Sequence, residues 1–129
     1  MNTLKRFDER YAQLIAEQAG SSTDLTTIGF KKVQNDTYYN TYYKAYGDAT
    51  VTIDVIDDEY KILVKRPEAS DIWYPRISRG HYVGGPLERA LPEFIEEIDD
   101  DLNDTEDENV IKFKDILEEL KADFQKLLG

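Results

Sequence analysis

Tyr39-Asn40-Thr41-Tyr42-Tyr43-Lys44-Ala45-Tyr46-Gly47-Asp48-Ala49-Thr50-Val51-Thr52-Ile53-Asp54-Val55-Ile56-Asp57-Asp58-Glu59-Tyr60-Lys61-Ile62-Leu63-Val64-Lys65 decides the fold. Val51, Ile53 and Val55 alternate with Thr52 and Asp54, and Tyr60, Ile62 and Val64 alternate with Lys61, Leu63 and Lys65. A period of two puts each set on one side of a pleated strand. Gly47-Asp48 and Asp57-Asp58 punctuate the stretch with turn-forming residues. With Asn35-Asp36 as a third turn, the pattern predicts a four-stranded antiparallel meander with strands near 27–34, 37–46, 50–56 and 59–65.

Upstream, Leu4, Phe7, Tyr11, Leu14 and Ile15 recur at spacings of three and four, which predicts a helix over 3–19 ended by Gly20. Downstream, Pro67 closes the sheet and an irregular stretch runs to Pro86, with room for a further short strand. Leu91, Phe94, Ile95, Ile98 and Leu102 mark a second helix, expected to start at Pro92 because proline lacks an N–H, with residues 86–90 as a preceding turn. Thr105-Glu106-Asp107-Glu108 fits a capping box. A third helix is expected over 106–128, with Val110, Phe113, Leu117, Leu120, Phe124 and Leu127 on one stripe. The expected order is α-ββββ-αα, an α+β fold in one domain over residues 1–129.

The chain has no cysteine, which excludes disulfides, thiolate-ligated metals and thiol catalysis. Met1 to Asp8 contains no apolar signal-peptide core, and no stretch approaches the roughly 18 apolar residues of a membrane span. A soluble, cytoplasmic protein is expected, with no membrane association. The net charge of −11 is unevenly placed, because residues 93–129 carry four basic and fourteen acidic side chains. Such a field disfavours direct binding of nucleic acid and favours a cationic partner.

Glu96, Glu97, Asp99, Asp100, Asp101, Asp104, Glu106, Asp107 and Glu108 form the densest acidic block. Those at 106–108 suit a helix start, whereas those at 99–101 oppose the dipole at the end of the second helix. With no structural return in view, Glu96, Glu97, Asp99, Asp100, Asp101 and Asp104 are the expected partner-binding carboxylates. Asp99, Asp101 and Asn103 match the first ligand positions of an EF-hand, but Asp104 replaces its glycine and Val110 its bidentate glutamate. No metal and no cofactor is expected.

Alternation separates Tyr38, Tyr42 and Tyr46 from Tyr39 and Tyr43, and the first three are assigned to the same partner-binding surface. Arg76, Arg79 and His81, in a loop with Tyr74, Tyr82 and Gly84-Gly85, are candidates to hold an anion. Ser78 with His81 lacks a nucleophile elbow and an orienting acid, so no catalytic residue is assigned.

The expected function is therefore non-enzymatic: an acidic protein-binding domain, of the inhibitor or immunity kind, that blocks a basic, nucleic-acid-handling target. In size, acidity and lack of catalytic groups the chain is similar to nuclease-toxin immunity proteins and to phage-encoded inhibitors of host defence. That likeness is one of composition, carried by no motif. The alternatives are a small-ligand protein or enzyme using the Arg76/Arg79/His81 loop, and a self-associating structural or regulatory protein pairing through the third helix. Monomer and homodimer are both compatible with the sequence.

Overall fold

A computed structural model describes residues 24–34, 39–76 and 82–129. The expected N-terminal helix over 3–19 lies outside them. The described chain is an α+β fold: strands β1 (Lys31–Gln34), β2 (Tyr39–Tyr46), β3 (Ala49–Ile56), β4 (Glu59–Lys65), β5 (Ile72–Tyr74) and β6 (Val83–Gly84), then helices α1 (Leu87–Leu102), α2 (Glu108–Ile111) and α3 (Lys114–Leu128). The sheet is antiparallel in the order β1-β2-β3-β4-β5, and β6 pairs with the start of β4.

The hairpins form where turn chemistry and alternation agree. Gly47 and Asp57, each opening a two-residue turn, have φ of 65° and 55°, a conformation that glycine adopts freely and aspartate tolerates. These turns fix the register. Tyr46 faces Ala49, Tyr42 faces Ile53, and Ile53 faces Ile62. The inner face of the sheet therefore gathers Tyr46, Val51, Ile53, Tyr60, Ile62, Val64, Ile72 and Tyr74, all buried. Ala90, Leu91, Phe94 and Ile98 of α1, with Ile116, Leu117, Leu120 and Phe124 of α3, close over them in one core. The stripe of the third helix is consumed in this packing and is not free to pair with another copy.

Five expectations need correction. The first strand does not begin at residue 27, because Leu25–Ile28 is a 3-10 turn capped by the Asp24 carboxylate and ended by Gly29 at φ 98°. The irregular stretch after Pro67 holds two short strands, and both add to β4.

The second helix does not wait for Pro92. It starts at Leu87, with Pro92 inside it, and Glu88 and Pro92 are both exposed, so the Glu88 carbonyl that Pro92 cannot serve lies on the solvent side of the helix.

Nor is the third helix continuous. It breaks at Lys112–Phe113, where Phe113 leaves helical geometry (φ −110°, ψ 3°) while its ring is fully buried. The Arg66 guanidinium donates to the Lys112 carbonyl at 2.6 Å and to Asp115 at 2.9 Å, which secures the break. The capping box is also replaced. Asp104 accepts from the N–H groups of Glu106 and Asp107, and Asp107 accepts from those of Asn109 and Val110. A charged carboxylate is a stronger acceptor than the Thr105 hydroxyl would have been. Among the described residues, no helix is long and apolar enough to cross a membrane.

Candidate functional site

The acidic block sits where the end of α1 meets β5 and α3. Leu91, Phe94 and Ile98 set the buried stripe of α1 at spacings of three and four, and the next position in phase is Asp101. It is 6% exposed, and its carboxylate accepts a 2.6 Å hydrogen bond from the Tyr74 hydroxyl. Arg76 Nε lies 3.5 Å from its other oxygen. Burial, and next the bond to Asp101, hold the Tyr74 phenol far above its ordinary range.

Its neighbours are engaged too. Lys121 pairs with Asp99 at 2.5 Å, and the backbone N–H of Arg76 donates to Glu97 at 2.6 Å. Burial raises the Glu97 carboxyl, and the bond from Arg76 only partly opposes it. Asp104 is lowered by the two N–H groups it accepts. Lys114 Nζ donates to the carbonyls of Asp101, Leu102 and Asp104, closing the C-terminal end of α1 with a positive charge.

Glu97, Asp99, Asp101 and Asp104 therefore have the structural return that their charge pattern concealed, and Asp101 is withdrawn from any partner surface. Glu96 and Asp100 remain outward. They fall in phase with Glu93, which the sequence reading passed over, so Glu93, Glu96 and Asp100 make one exposed row at spacings of three and four. None of the three makes a hydrogen bond or ion pair among the described residues. Glu106 and Glu108 continue the exposed acidity past the turn.

Of the expected anion-binding set, Arg79 and His81 lie outside the described residues. Arg76 borders a cleft of about 460 Å³ whose other lining residues are Glu97, Asp100 and Asp101. Three carboxylates around one guanidinium oppose an anion there. Among the described residues, no group of three or more potential ligands is placed to hold a metal ion.

The tyrosines of β2 divide as alternation requires, but Tyr42 and Tyr46 of the assigned set are on the covered face. Tyr46 is 3% exposed, with its hydroxyl donating to Asp123 at 2.6 Å and Lys44 beside it bridging Asp123 and the Ile28 carbonyl. It is removed from the partner-binding set. Tyr42 is half-buried on the same face, bordering a cavity of about 350 Å³ with Leu25, Val55, Tyr60 and Leu87. Tyr38 lies outside the described residues.

The opposite face carries Tyr39 and Tyr43 instead. Register aligns Val33, Thr41, Asp54 and Lys61 in one row and Lys31, Tyr43, Thr52, Leu63 and Trp73 in the next. Asp54 accepts from the hydroxyls of Thr41 (3.1 Å) and Tyr39 (3.4 Å). Lys61 Nζ lies between the rings of Trp73 and Tyr82, 4.7 and 5.2 Å from their centroids. None of these residues belongs to the core.

The register through Gly47-Asp48 could have shown which tyrosines share a face with Val51 and Ile53. The phase of α1 could likewise have separated Asp101 from Glu96 and Asp100. Comparison of the chain with protein-family models, curated proteins and solved structures finds no match.

Proposed function

We propose that this chain is a non-catalytic protein-binding domain that engages a basic partner, in the manner of an inhibitor, through the outward carboxylates of α1. The observation that carries the reading is the row Glu93, Glu96 and Asp100, solvent-facing and unpaired while the neighbouring acids are spent inside the fold. Like charges three and four residues apart repel on a helix surface, and Arg89, one turn before Glu93, is the one cation of α1 in line with the row. A partner's lysines and arginines would relieve that repulsion, and the surrounding field would speed their encounter. A row of this kind competes with phosphates for the same cationic side chains, which suits a nucleic-acid-handling target.

The test is capture at low salt on immobilised wild-type chain and on the Glu93→Gln, Glu96→Gln, Asp100→Asn triple variant, with mass-spectrometric identification. Basic proteins should be retained by the wild type and lost both on the variant and as salt is raised. Equal retention by the two chains, or capture of proteins without a basic surface, would refute the reading.

A further inference from the structure

The outer face of the sheet has no part in that reading. An antiparallel sheet covered on one side normally presents polar residues on the other. Here Val33, Tyr43 and Ile56 are 45%, 40% and 36% exposed, with Tyr39, Leu63, Trp73 and Tyr82 half-buried on the same face. We propose that this face is the contact between two copies of the chain, packed sheet against sheet.

Charge selects the occupant. The outer face bears Lys31, Lys61 and Lys65 against Asp54 and Glu59, so its charges nearly cancel. The molecule's net −11 lies elsewhere, concentrated in residues 93–129. Two copies therefore meet with least repulsion through their sheets, while a basic partner gains little from a face holding three lysines. Asp54 and Lys61 are register partners on adjacent strands, and a two-fold axis through the patch would set each near its opposite in the other copy.

Strands of 4, 8, 8, 7, 3 and 2 residues, each residue covering about 3.3 by 4.8 Å of sheet, give ~500 Å² per copy. The total of about 1,000 Å² places the contact at the lower limit of a specific interface, that of a weak association. Aligned face-to-face packing of two twisted sheets is an established arrangement. The product would be closed, with both acidic rows directed outward.

Sedimentation velocity over a concentration series of the full chain tests this. The mass should rise from 15.0 kDa towards the dimer, and Tyr43→Glu should weaken association by about tenfold or more. Because the chain lacks cysteine, single variants give a second measurement that does not depend on Tyr43→Glu folding. Thr52→Cys, on the sheet face, should oxidise to a disulfide-linked dimer much faster than Glu96→Cys on α1. A monomeric mass at every concentration overturns the proposal, and so does equal or faster cross-linking through Glu96→Cys. A different protein seated on this face of a monomeric chain overturns it as well.

Discussion

Tyr74 and Asp101 join the edge strand β5 to the last turn of α1 through a 2.6 Å hydrogen bond in which the phenol is the donor. Both side chains are buried. Removing the hydroxyl leaves a buried carboxylate with only the longer contact to Arg76. Tyr74→Phe should cost about 1.5–3 kcal/mol in urea denaturation. Asp100→Asn, one residue away and exposed, should stay within about 0.5 kcal/mol of wild type.

The buried phenols give the protein an alkaline limit. Tyr46, Tyr60 and Tyr74 are all raised above the ordinary 10.0, chiefly by burial, with Tyr60 pushed up to about 12. A phenol raised on folding contributes stability that is present below pH 10 and lost as pH climbs, because the unfolded chain gives up its proton first. Stability followed by circular dichroism should therefore fall between about pH 10 and 12, and Tyr60→Phe should flatten part of that fall.

Glu97 has the opposite relation to neutral pH. Its carboxyl is raised from 4.5 by burial, so it favours the fold when protonated and opposes it once ionised. Glu97→Gln keeps an acceptor for the Arg76 N–H. It should raise the denaturation midpoint at pH 7, and the gain should fade as pH falls towards 4.5.

Pro92 interrupts α1 at an exposed position, where it removes one helical hydrogen bond. Pro92→Ala restores a donor for the Glu88 carbonyl and should stabilise the protein by about 1–3 kcal/mol in thermal or urea unfolding. An unchanged or lower midpoint would show that proline serves the entry angle of the helix.

The hairpins were legible because Val51, Ile53, Tyr60 and Ile62 alternate cleanly and the turns between them admit positive φ. The covered face of β2 was not chosen correctly, because both faces present tyrosine and only the register distinguishes them. The buried acid of α1 was missed for a related reason. Asp101 looks like its neighbours in composition, and only its phase with Leu91, Phe94 and Ile98 marks it. The starts and breaks of the helices were the least legible. Pro92 sits on the exposed side of α1 and Phe113 buries its ring, circumstances of tertiary structure that local propensity does not encode.

The sixteen residues of α1 divide into an inward stripe ending at Asp101 and an outward row of Glu93, Glu96 and Asp100, and the two share no residue. Substitution in the row leaves the core contacts of the helix untouched. If the row is the binding surface proposed above, a lineage facing a changing target could alter what it recognises, one side chain at a time, without passing through an unfolded ancestor.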